Sequence, residues 1–117
     1  MPRATNNVAA HRRHKKFLDK AKGNYGGRRK QYRSARETVQ KGMVYAYRDR
    51  RAKKRVFRRL WIVRINAAVQ QFGMRYNRFM DGLKKNGVTL DRKVLADLAV
   101  RDQRAFAELV KVAQSAA

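Results

Sequence analysis

The sequence predicts an all-α protein with a long basic N-terminal helical extension and a small C-terminal helical domain. Three observations carry this prediction. Pro2 is the only proline, and no stretch alternates apolar and polar residues with period two, so no strand is expected. Charge is unevenly spread. Residues 1–64 hold 22 of the 31 Lys and Arg against three acids, Asp19, Glu37 and Asp49, for a net +19; residues 65–117 hold nine bases and five acids, for a net +4. Before residue 56 the Leu, Ile, Val and Phe positions are only Val8, Phe17, Leu18, Val39 and Val44, and apolar residues become dense after it. These shifts divide the chain into an extension, residues 1–57, and a domain, residues 58–117. The extension is too poor in large apolar residues for a packed core of its own, so it gains order on meeting a counter-surface. A domain of about 60 residues is marginal but feasible.

In chain order, Val8–Lys22 reads as a short basic helix with Asn6 or Asn7 as its N-cap. Gly23-Asn24-Tyr25-Gly26-Gly27 ends it. One long helix is then expected from Arg28 to Gln71, interrupted only by Gly42, where glycine costs about 1 kcal/mol relative to alanine. About 44 residues at 1.5 Å each would reach roughly 65 Å, too long for a domain this small, so the helix is expected to protrude. At 100° per residue, one face carries Tyr47, Arg50, Arg51, Lys54 and Arg58. A turn later the same face carries Trp61, Ile62, Ile65, Ala68, Val69 and Phe72. The upstream part of the face suits phosphate, and the downstream part suits docking against other helices.

Those helices follow. Gly73 is a break, and Tyr76, Phe79, Met80 and Leu83 form an amphipathic helix that stops at Asn86-Gly87. Asp91 reads as the N-cap of Arg92–Val100, which buries Val94, Leu95 and Leu98. Asp102 reads as the N-cap of a last helix presenting Phe106, Leu109, Val110 and Ala113. Both carboxylates complement the positive end of a helix dipole.

The densest chemistry lies in Arg48-Asp49-Arg50-Arg51-Ala52-Lys53-Lys54-Arg55-Val56-Phe57-Arg58-Arg59. Arginine offers a planar fork of five donors that grips phosphate bidentately and stacks on bases. Basic groups on several sides of one helix suit enclosure by a folded polyanion better than contact with a single duplex face. Without such a counter-surface the density is self-repulsive. His11-Arg12-Arg13-His14-Lys15-Lys16 is a second cluster, and Lys22, Arg28, Arg29, Lys30 and Arg33 flank the glycine-rich turn. That turn reads either as a hinge or as a loop whose amides approach phosphate; it lacks the Lys-Ser/Thr of a nucleotide-binding loop. Tyr25, Tyr32, Tyr45 and Tyr47 are interleaved with arginines, a pattern suited to stacking on unpaired bases. Trp61 opens the docking face and is assigned to the core. Tyr45, Ala52, Val56, Leu60, Val63 and Ala67 form a thin second stripe. It either meets a neighbouring protein or a shallow RNA groove, or is scattered surface residues.

Several functions are argued against. There is no cysteine, so disulfides, thiolate metal sites and cysteine nucleophiles are excluded. His11 and His14 have a metal-compatible spacing, but the surrounding cations oppose a divalent ion and no carboxylate completes a site. Ser34 and Ser115 have no partnered base and acid, so no enzyme, cofactor or small-molecule substrate is expected. Leu60-Trp61-Ile62-Val63 is the longest strong apolar run, well short of the roughly 20 residues of a membrane span.

Several segments taken together resemble the bacterial large-subunit ribosomal protein L-twenty family. They are Met1-Pro2-Arg3, Arg12-Arg13-His14-Lys15-Lys16, Ala21-Lys22-Gly23 with Tyr25-Gly26, and Tyr45-Ala46-Tyr47-Arg48-Asp49-Arg50-Arg51. Phe57-Arg58-Arg59-Leu60-Trp61-Ile62, Arg64-Ile65-Asn66-Ala67-Ala68, Gly82-Leu83-Lys84-Lys85 and Leu90-Asp91-Arg92-Lys93-Val94-Leu95-Ala96-Asp97 extend the likeness over essentially the whole chain. The resemblance implies an extension threaded through large-subunit ribosomal RNA and a globular domain touched by neighbouring large-subunit proteins. It also implies a non-catalytic role in subunit assembly and a ribosome-bound location in bacterial cytoplasm or plastid. Some members bind their own messenger RNA through the globular domain. On the combined reading, the RNA-binding residues are Arg12, Arg13, His14, Lys15, Lys16, Lys22, Tyr25, Arg28, Arg29, Lys30, Arg33, Tyr47, Arg48, Arg50, Arg51, Lys53, Lys54, Arg55, Arg58 and Arg59.

Two other classes are weighed against this one. A histone-like DNA-compacting protein would need a dimer interface or a minor-groove wedge, and neither is visible. A membrane-active helix would need a continuous apolar face along residues 28–59, which is absent.

Overall fold

A computed structural model describes Arg3 and residues 7–115. Among the described residues there are six helices and no strand. They are α1 (Asn7–Lys20), α2 (Gly27–Lys30), α3 (Tyr32–Gln70), α4 (Tyr76–Lys85), α5 (Arg92–Arg101) and α6 (Gln103–Ser115). The all-α expectation holds. The chain forms two compact units, Met1–Arg51 and Ala52–Ala117, with the division falling inside α3.

In the first unit, Asn7 is the first residue of α1 rather than its cap, and Asn6 lies outside the described residues. The expected helix from Arg28 is two helices. Gln31 is extended, with φ −85° and ψ 121°, and separates the single turn of α2 from α3. Gly42 does not interrupt α3. The unit also contains a small core that a count of large apolar residues misses. Ala21, Ala35 and Val39 are buried, with Phe17 and Leu18 packed against them. Ala21 lies just after α1, and Ala35 and Val39 lie on α3, and Tyr32 closes the cluster. Its ring stacks on His14 at 3.8 Å and meets Phe17 edge-on at 6.3 Å.

The second unit packs α4, α5, α6 and the end of α3 round Ile65, Val69, Phe79, Leu83, Leu95, Ala96, Phe106, Val110 and Ala113. Phe79 and Phe106 lie 5.4 Å apart at its centre, and Trp61 packs against this core, as its position on the docking face requires. Two details differ from expectation. Val94 is 42% exposed, because the inward arc of α5 is centred on Leu95 and Ala96, with Leu98 and Ala99 beside them. Phe72 stands at the rim, 6.5 Å from Phe106.

Helix ends in this unit follow local chemistry. Gly73 and Gly87 have φ 71° and 70°, and the N–H groups of Met74 and Val88 return to the carbonyls of Val69 and Leu83. A left-handed residue here satisfies the last carbonyls, and glycine adopts it without strain. Asp91 accepts from the Val94 N–H at 2.8 Å, and Asp102 from the Ala105 N–H at 3.0 Å, so both predicted N-caps are made. Replacing Asp91 by alanine is expected to cost about 1 kcal/mol, read as a lowered urea midpoint with an unchanged m value.

Two side-chain hydrogen bonds tie helices together. Arg92 Nε donates to the Tyr76 hydroxyl at 2.9 Å, joining α5 to α4. Asn86 Nδ2 donates to the Val112 carbonyl at 2.6 Å, joining the end of α4 to α6. The same two helices meet at Gly82, which is buried against the Ala113 main chain.

Candidate nucleic-acid interface

The predicted basic residues lie on the outside of both units. On α1, Arg12, Arg13, His14, Lys15 and Lys16 are exposed, though His14 is also engaged with Tyr32. Lys22 follows α1 and pairs with Asp19 at 3.3 Å. Tyr25 is 95% exposed in the glycine-rich turn, with no packing role to explain an aromatic ring there. Arg28, Arg29 and Lys30 make up all of α2 except Gly27. On α3, Arg33 faces Glu37 at 3.9 Å.

Further along α3 in the first unit, Tyr47, Arg48, Arg50 and Arg51 are all exposed. The Arg51 guanidinium lies 3.5 Å from the Tyr47 ring centroid and donates to the Tyr47 carbonyl at 3.2 Å. Arg48 donates to Asp49 at 2.8 Å and lies 4.8 Å from the Tyr45 ring, with Lys41 at 5.2 Å from the same ring. The hydrogen bond from Arg48 holds the Asp49 carboxyl below its ordinary range. A depressed carboxyl pKa supports the folded arrangement at neutral pH and loses that support as pH falls through the lowered value. Asp49 thus stays ionised at neutral pH and aims Arg48 at low cost in net charge.

In the second unit, Lys53, Lys54, Arg55, Arg58 and Arg59 are exposed on the start of its α3 segment. Among the described residues, Lys22, Arg33 and Arg48 are the members of the predicted set with a carboxylate partner. The rest present their charge to solvent. The second stripe is exposed too, with Val56 at 60% and Val63 at 63%.

The set predicted from sequence leaves out Lys20 and Lys41, although they border the same surface as Tyr45, one of the four tyrosines read as suited to stacking. Lys41 four residues before Tyr45 and Arg48 three after it set both cations on the side of the helix that carries the ring, the signal that could have found Lys41. Among the described residues no group of three or more potential ligands could hold a metal ion, and no helix is long and apolar enough to cross a membrane.

Residues 3–109 match the family described as ribosomal protein L20. The chain belongs to that family. A protein of Carboxydothermus hydrogenoformans named large ribosomal subunit protein bL20 is 57% identical over 114 residues, covering 97% of each chain. Proteins with the same name from Thermomicrobium roseum and Roseiflexus sp. are 60% and 57% identical over 116 residues, covering 99% of each chain. The family match takes in every predicted contact residue, and the resemblance seen in the sequence segments is thereby shown.

Proposed function

We propose that this chain is a structural, non-catalytic constituent of the large ribosomal subunit, which binds large-subunit ribosomal RNA through its basic extension and supports subunit assembly. The observation that carries the reading is near end-to-end similarity to relatives named for that subunit. The mechanism is charge neutralisation. Exposed cations on α1, α2 and the upstream part of α3 release condensed counterions as RNA strands close round them. The contact set is the one predicted from sequence, from Arg12 to Arg59, with residues 1–57 as the RNA-threading part and 58–117 as the anchor. The anchor is the surface for neighbouring large-subunit proteins, and the location is the bacterial cytoplasm, bound to ribosomes. Nothing in the structure favours the histone-like alternative.

The test is binding of the full chain to deproteinised bacterial large-subunit ribosomal RNA between 50 and 200 mM salt, with circular dichroism in parallel. A log–log slope of about −6 or steeper is expected, with helicity rising on binding. A flat salt dependence, or equal affinity for duplex DNA at physiological salt, would overturn the reading. Adding the chain's own messenger leader as competitor tests the finer proposal that residues 58–117 also bind that messenger. Direct binding of the messenger leader that persists when the Lys and Arg of residues 1–57 are changed to Gln supports it, and loss of that binding with the melting transition unchanged removes it.

A further inference from the structure

Five of the seven glycines have a firm reason inside the protein, Gly27 has a slight one, and Gly42 has none. Gly23, Gly26, Gly73 and Gly87 have positive φ. A Cβ on Gly27 would press on the Gln31 side chain, and one on Gly82 on the Ala113 main chain. Gly42 sits inside α3, ten residues after its start, with ordinary helical geometry, and a Cβ there would meet nothing within 4 Å among the described residues. Alanine would propagate the helix better and collide with no part of the chain. A glycine in such a place points to something outside the chain that must come close to the backbone.

Gly42 lines an open recess of about 950 Å³, wholly within the first unit, at the upper end of the ~300–1,000 Å³ of ligand clefts. Lys20, Arg28 and Lys41 border it against one acid, Glu37, which is already engaged with Arg33. Tyr45 forms part of the wall, its ring flanked by Lys41 and Arg48. Thr38 Oγ1 donates its proton to the Ser34 carbonyl at 2.7 Å. Only its lone pairs remain, so it accepts from a hydroxyl and cannot donate to a phosphate. An acceptor among cations, beside a ring able to stack, fits a ribose 2′-hydroxyl, which a deoxyribose lacks.

We propose that a single strand of RNA crosses α3 at Gly42. Its sugar–phosphate backbone lies against the bare helix, with phosphates at Lys20, Arg28 and Lys41, a 2′-hydroxyl at Thr38 and an unpaired base on Tyr45. This assigns a specific crossing point to the RNA partner already proposed, and rests on that reading.

The test is Gly42→Ala in the full chain, with Gln40→Ala as a control on the same helix but outside the recess. The probe is deproteinised bacterial large-subunit ribosomal RNA. Gly42→Ala is expected to raise helicity and melting temperature and yet to weaken RNA binding at least tenfold. The log–log salt slope stays unchanged, because no charge is lost. Gln40→Ala leaves affinity as in the wild type. Tyr45→Ala weakens binding in the same direction. Gly42→Ala binding as tightly as wild type overturns the crossing, and does so even if that variant then fails to enter subunits, since a protein would then occupy the recess. Failure of the wild type to bind RNA overturns the broader reading as well, so the two failures are separable.

Discussion

Gly82→Ala is expected to destabilise the C-terminal unit by about 2 kcal/mol, despite replacing a mid-helix glycine by the best helix former. Two effects oppose each other. Alanine in a helix interior gains about 1 kcal/mol over glycine. Against this, the added Cβ would meet the Ala113 carbonyl oxygen well inside contact distance and the Ala113 Cα at 2.9 Å. Both belong to the main chain of α6, so no rotamer change relieves the collision. Overpacking a core costs typically about 1–3 kcal/mol, and a main-chain clash belongs at or above the top of that range. The helices must part, and separation also stretches the hydrogen bond from Asn86 to Val112. For a unit of this size, total stability is on the order of 3–10 kcal/mol. A melt of the full chain should therefore show its cooperative transition lowered by roughly 10 °C or more. Ala113→Gly should not rescue the variant, because the obstruction is not the Ala113 methyl group. An unchanged or raised transition would show that α4 and α6 do not cross there as described.

The second large effect concerns affinity. Changing Lys54, Arg55, Arg58 and Arg59 together to glutamine preserves helix propensity, and these exposed positions carry no part of the core. If the proposed contact set is right, four phosphate contacts are lost and the log–log salt slope should fall by about 3 to 4 units. Extrapolated lines for wild type and variant then converge near 1 M salt. At about 0.1 M they should differ on the order of a thousandfold. Two controls separate charge from folding: the melting transition stays where it was, and the slope falls by the stated amount. A variant that binds less tightly with an unchanged slope would mean these side chains act through something other than phosphate.

The legible parts of the fold were those with a one-dimensional signature. Ile65, Val69, Phe79, Leu83, Phe106 and Val110 repeat at helical spacing and are buried, and Asp91 and Asp102 stand three residues before apolar runs and cap the helices that carry them. What escaped depends on partners distant in sequence or on small atoms. The core formed by Ala21, Ala35 and Val39 is invisible to a tally of bulky residues. The extended Gln31 has no glycine or proline to announce it, and glutamine is a good helix former, so local propensity points the wrong way. The contact at Gly82 could have been suspected, because a glycine three residues after Phe79 lies on the inward face of its helix. The candidate interface was legible as charge, since arginine density does not depend on folding. Its finer geometry was not. That Arg51 lies over Tyr47 and Arg48 over Tyr45 follows from rotamers that the sequence does not specify.

The bare ridge of Val56, Leu60 and Val63 has a bearing on how the molecule behaves alone. A net charge of +23 holds copies apart in dilute buffer, so the ridge stays harmless while repulsion reaches across solution. Concentrated electrolyte, which is what strips the chain from its RNA, shortens that reach to a few ångströms. The step that liberates the molecule therefore also disarms its defence against clumping, and solubility is safest when a polyanion takes over as the charged coat.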